Sequence, residues 1–166
     1  MPDVARPISV DILHDADAWK AVTGADDLVA AAASAAWRAA QDERSADACG
    51  ISILLADDAA LQALNRQWRG KDTPTNVLSF PAADMPLVEG EERHLGDLAL
   101  SYDTLVREAA AEGKTLPAHL QHLVVHGVLH LAGFDHETEA DADRMEALET
   151  AVLADLGVPD PYAAAS

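Results

Sequence analysis

Cysteine is nearly absent from this 166-residue chain. Cys49 is the single one, so no internal disulfide can form and a buried apolar core has to hold the fold. Aromatic residues make up only 4%, which argues against a broad base-stacking surface. Long hydrophobic runs are missing as well. The longest small-apolar stretch, Leu28 to Trp37, is mostly alanine and stops at Arg38, well short of the ~20 residues a membrane span needs. Met1 to Arg6 shows no basic-then-apolar pattern, so no secretory signal is expected. These absences together point to the reducing cytoplasm, with no membrane partner. Cations are scarce: 11 Lys and Arg stand against 29 Asp and Glu, a formal charge of −18. Phosphate-binding proteins usually carry an evident basic face, and no DNA partner is expected here. Net charge describes solubility and steering, however, and leaves a specific pocket open.

What is present suits one globular domain spanning residues 1–166. Hydrophobic residues reach 49% and charged ones 24%, and no repeat, linker or compositional break divides the chain. Strands are expected at Ile8 to Leu13, Cys49 to Leu55, Val77 to Phe80 and Leu95 to Leu100. Helices are expected from Asp26 to Ala40, from Asp57-Asp58 through Trp68, and from Tyr102 to Glu112. A fourth runs from Thr115 and Pro117 to about Ala132, and a fifth from Thr138 to Leu156. Gly70, Gly113 and Gly133 stand where three of them should end. The expected class is α/β (α+β): a small, mainly mixed sheet packed with helices, in an order local sequence does not set. The acidic stretch Glu89 to Glu92 reads as a solvated loop, and the tail after Gly157 is expected to fray.

Two clusters depart from the average. Arg66, Arg69 and Lys71 place three of the eleven cations within six residues. His119, His122, His126 and His130 fall within about 80° of a helix turning by about 100° per residue. The other directions of that helix are almost entirely leucine and valine, so the helix is expected to be buried and its imidazoles to face an internal cleft. His126 and His130 are related as i and i+4, the spacing two ligands of one zinc require. Gly133 can turn the chain back and bring His136 to the same ion. First-to-third spacing and the glycine match the zinc-binding part of H-E-x-x-H-x-x-G-x-x-H.

The glutamate of that pattern is replaced by Gly127, so a peptidase would lack its base. Gly127 is also expected to keep the helix surface low and leave room for a bulky substrate. Three neutral imidazoles and no thiolate describe a catalytic rather than a structural zinc, one per chain, with an open position suited to an anion such as phosphate. His119 and His122 are expected to hydrogen-bond behind the ligands or simply to line the cleft. Asp135 either orients an imidazole or caps the turn.

Residues 126–136, HGVLHLAGFDH, resemble the H-G-x-L-H-L-x-G-[YF]-D-H motif of the YbeY family of bacterial rRNA maturation endoribonucleases. The segment from Leu64 to Pro81, LNRQWRGKDTPTNVLSFP, is similar to that family's L-N-x-x-[YFW]-R…T-[DN]-V-L-S-F-P run. Leu95 to Ser101 is similar to its L-G-D-I-x-I-S strand. The matched blocks cover most of Ile51 to Ala154. Phe134 stands where tyrosine is commoner. The resemblance implies a compact α/β fold and a zinc on His126, His130 and His136. It also implies single-strand-specific cleavage of ribosomal RNA, 16S 3′-end maturation and ribosome quality control, with an important arginine at Arg69.

Read from the residues, Arg69 would clamp a phosphate bidentately beside the metal. Arg66 and Lys71 would hold flanking phosphates or, equally, serve as ordinary cations at a helix C-terminus. The expected partners are rRNA and the ribosomal small subunit, with basic ribosomal proteins suited to an acidic chain. Two other readings stay open: a metallo-hydrolase of another phosphoester or amide, and a ribosome-assembly factor whose zinc is structural.

Overall fold

Short polar side chains set the helix starts. In the computed structural model, which describes residues 8–40, 49–81, 93–134 and 138–161, Asp57, Ser101, Thr115 and Thr138 each accept a backbone N–H three residues on. The elements run β1 (Ser9–His14), a 3-10 turn (Asp17–Ala21), α1 (Ala25–Ala40), β2 (Cys49–Ala56), α2 (Asp58–Arg69) and β3 (Val77–Pro81). Then follow β4 (Arg93–Ser101), α3 (Tyr102–Glu112), α4 (Leu116–Leu131) and α5 (Glu139–Asp155). All four expected strands and all five expected helices form. The 3-10 turn was not anticipated, being too short to show a helical period; it buries Trp19, whose indole N–H donates to Ala56 O at 2.8 Å. β4 begins two residues before Leu95, because Arg93 and His94 pair with Cys49 and Gly50 without adding an apolar signal.

The strands form one mixed sheet in the order β1-β2-β4-β3. β1 and β4 both run parallel to β2, and β3 pairs antiparallel with β4 as an edge strand. Ile51, Ile53, Leu55, Leu98 and Leu100 point to one face, where α1, α4 and α5 cover them in the main core. Ala32, Ala33 and Ala36 are fully buried on α1 and let it lie close to α4. Gln121 Nε2 donates to Leu28 O at 3.0 Å across that contact. The opposite face carries a smaller core of Ala56, Leu61, Leu78 and Ala99 under α2. Twelve residues of helix span about 18 Å, so α2 covers only one end of that face.

Gly96 lies at the β3–β4 pairing with φ +150°, and an added Cβ would sit 2.4 Å from Phe80 O and 2.9 Å from Leu131 Cδ2. Glycine is therefore required where β4 passes beneath α4. Beyond Gly157, Val158 N–H still donates to Leu153 O at 2.8 Å. The acidic stretch 89–92, together with Asp135 and His136, lies outside the described residues.

Candidate metal centre

Helix α4 carries the centre. Its C-terminus closes as Gly133 N–H donates to His130 O and Phe134 N–H to Leu129 O, both at 3.0 Å, with Gly133 at φ +108°. One turn apart on the same face, His126 and His130 turn their Nε2 atoms toward each other at 3.2 Å. A third group explains the orientation. Glu149 of α5 is completely buried, and its Oε1 accepts a hydrogen bond from His126 Nδ1. A carboxylate at Nδ1 keeps the proton there and leaves Nε2 as a lone-pair donor. Glu149 Oε2 lies 3.8 Å from His122 Nε2.

The donor set fits a zinc ion. Tetrahedral arms of about 2.0–2.1 Å imply a ligand–ligand separation of about 3.3–3.4 Å, close to the observed 3.2 Å. Two imidazoles on one helix, one backed by a buried carboxylate, are the chemistry zinc selects. Among the described residues no third potential ligand joins them. His136, the expected third, lies outside those residues, as does Asp135.

A cavity of about 630 Å³ opens beside the pair, and Arg69, Asn76 and Ser79 line it together with His126 and His130. Arg69 reaches it from the last turn of α2, where Gly70 (φ +69°) takes the left-handed conformation and ends the helix. The loop beyond is tied back: Lys71 N–H donates to Asn65 O at 3.2 Å, and Asn65 Nδ2 donates to Thr73 O at 2.9 Å. Asn76 Oδ1 accepts from Val77 N–H at 2.7 Å, and its Nδ2 donates to Glu108 at 3.0 Å. These bonds make the Leu64-to-Pro81 block a brace that carries Arg69 to the imidazole pair.

The cation cluster and the histidine stripe do not act as units. Arg66 and Lys71 are exposed and absent from the cavity lining, and Arg66 lies 3.9 Å from Asp72. His119 is buried against Glu108 at 2.9 Å, and His122 opens onto a separate pocket with Thr115 and Val158. Four imidazoles on one helical stripe thus meet different neighbours, because α3 and α5 cross α4 at different heights.

Gly127 faces β4 and not the cavity. Rather than leaving room beside the imidazole pair, it is buried against the sheet, where an added Cβ would come within 2.7 Å of Leu98 Cδ2. Packing against β4 explains the glycine, and the same contact denies space to a glutamate there. The sequence reading also missed Glu149. A signal existed: Met145, Glu149 and Leu153 lie at i, i+4 and i+8, which puts a carboxylate on the buried stripe of α5.

The family model described as Endoribonuclease YbeY matches residues 16–157. The chain belongs to the YbeY family. The match takes in α1 through α5 and leaves β1 outside. Among YbeY relatives, a protein of Jannaschia sp. (strain CCS1) named Endoribonuclease YbeY is 51% identical over 164 residues, 93% of this chain and 100% of its own length. One of the same name from Rhodopseudomonas palustris (strain BisA53) is 51% identical over 161 residues, covering 95% and 91%. The solution structure of TM1509 from Thermotoga maritima shares the fold, with a TM-score of 0.54 at 22% identity over 89% of this chain and 91% of that one. Among the described residues of this YbeY chain, no helix is long and apolar enough to cross a membrane.

Proposed function

We propose that this chain is a zinc-dependent endoribonuclease that cuts single-stranded RNA during ribosomal RNA maturation, at the 16S 3′ end and in ribosome quality control. Its place of action is the cytoplasm, on the small subunit. One observation carries the reading: His126 and His130 present converging Nε2 atoms in the same cavity as Arg69. The names of the relatives support the activity.

His126, His130 and His136 would hold the metal. When bound, zinc supplies a Lewis acid that polarises a phosphoryl oxygen and acidifies water. Glu149 accepts from His126 Nδ1 and holds the ring with its Nε2 turned toward His130. Arg69 pairs its planar fork with the phosphate oxygens and offsets charge as the phosphorus centre becomes more anionic. Asn76, fixed by Glu108 and Val77, shapes the cavity wall opposite α4. Arg66 and Lys71 would meet phosphates farther along the strand, where their exposure leaves them free to do so.

The deciding experiment is metal-replete cleavage of an end-mapped 16S precursor by the wild type and by His130→Ala, with zinc measured on both. The reading expects cleavage that tracks zinc content. Maturation rescued by a folded, metal-free variant would instead favour an assembly factor.

A further inference from the structure

The cavity beside the imidazole pair does not end at β3. Trp68, Phe80 and Pro81 form part of its wall, and all three also line a second groove of about 550 Å³ on the opposite side of that edge strand. This groove exists because α2 leaves part of its sheet face bare. Its floor is largely apolar, built from Leu54, Leu64 and Ala99, with Ser52 and Asp97 adding polar side chains. Trp68 stands on the ridge between the two spaces and is 64% exposed, a large apolar area left in water. Phe80 supports it edge to face, with ring centroids 6.3 Å apart and planes at 62°. The other two tryptophans, Trp19 and Trp37, are 1% and 7% exposed and belong to the core.

We infer that Trp68, backed by Phe80, is the platform for an unpaired nucleobase next to the phosphate held at Arg69. This rests on the endoribonuclease reading. Adjacent residues of α2 divide the work: Arg69 faces the phosphate, and Trp68 takes the neighbouring base over the edge of β3. A base is planar and apolar on its faces, which suits the ring and the aliphatic floor. Its edge carries donors and acceptors, which Asp97 and Ser52 can meet. Continuity with the metal cavity is what selects a base over an apolar protein side chain as the occupant. A base paired in a duplex has both faces stacked and cannot turn onto Trp68, so selection for single strands follows from this platform. One aromatic side chain suffices for it, which is compatible with a chain so poor in aromatics.

The test uses the metal-loaded protein and a fluorescein-labelled 2′-O-methyl oligoribonucleotide, with binding followed by anisotropy. Three probes are compared: the single strand, the same strand in a duplex, and a strand with one abasic residue beside the phosphate that is cut. Trp68→Ala should weaken single-strand binding by about tenfold and leave duplex binding unchanged, while Trp68→Phe should stay close to wild type. On the abasic strand the wild type should fall to the level of Trp68→Ala, and the variant should fall no further. Equal affinity of Trp68→Ala and wild type for the single strand overturns the inference, as does an equal loss on duplex and single strand. Thermal melts confirm that the exposed substitution leaves the fold intact. Cleavage of unmodified RNA is measured in parallel. Base-dependent binding without cleavage removes the nuclease reading and keeps the platform; cleavage with undiminished binding by Trp68→Ala does the reverse.

Discussion

Glu149 is the residue whose role depends most on its surroundings. A carboxylate with no exposure to water is costly unless partnered, and His126 Nδ1 is the partner it meets. Glu149→Gln keeps the shape and an acceptor oxygen but removes the charge that makes the imidazole a stronger donor. Zinc affinity, read by competition with a chelator, should fall roughly 10–100-fold while the melting temperature of the zinc-free protein changes little. Arg69 sits at the other wall and is exposed, so its replacement tests chemistry with little effect on folding. Arg69→Lys retains charge and loses the fork; single-turnover RNA cleavage should drop on the order of 10²-fold. Zinc content and thermal stability should hold, since a cation at a helix end contributes only about 0.3–1 kcal/mol. A lysine variant with wild-type cleavage would exclude the bidentate contact.

At the scale of elements, the position of Arg69 depends on how α2 is seated, and Asp58 seats it. Its carboxylate accepts from Thr104 Oγ1 at 2.6 Å, from Arg107 at 2.9 Å and from Ser101 Oγ, fixing the start of α2 to that of α3. Burial alone raises the Asp58 pKa; the hydrogen bonds from Ser101, Thr104 and Arg107, with the Arg107 charge, outweigh it and hold the carboxyl below the usual aspartate range. A lowered folded-state pKa means the stabilisation is fully present above the unfolded value, near pH ~3.9, and is lost as pH falls through the folded one. Asp58→Asn should therefore unfold at lower urea than wild type at pH 6, and the gap should narrow in acid below pH ~3.9. A gap that stays constant down that range would show that the charge of Asp58 does not hold α2.

For the whole molecule, the main core lies between the sheet and α1, α4 and α5, and most of its residues belong to elements other than α4, which carries the imidazole pair. Removing the metal should leave this core standing. Chelation is expected to lower the melting temperature while far-ultraviolet circular dichroism at 25 °C remains native. The stabilisation lost is about 2.7 kcal/mol at a free metal concentration one hundred times Kd, which for a chain of this size corresponds to about 5–10 °C. Collapse of the helical signal on chelation would identify the zinc as a structural element and favour the assembly-factor reading.

Local physics made the elements legible. Asp57, Thr115 and Thr138 announced helix starts through their own side chains, Gly70 and Gly133 announced ends through their freedom at positive φ, and alternating apolar residues marked the strands. The His126–His130 pair was legible for the same reason, since i and i+4 on a helix are neighbours whatever the rest of the chain does. Contacts between distant segments were not. Strand order follows from backbone pairing between β2 and β4, whose partners are more than forty residues apart throughout, and nothing local encodes it. Glu149 lies 23 residues from His126 and meets it only because α5 crosses α4. Gly127 shows the same division: its identity is plain in the chain, but whether it faces a substrate or Leu98 depends on which side of α4 the sheet covers. Sequence determined what each segment forms and which side chains share a helical face; tertiary packing decided which neighbours those faces meet, because burial and pairing depend on distances that only the folded chain sets.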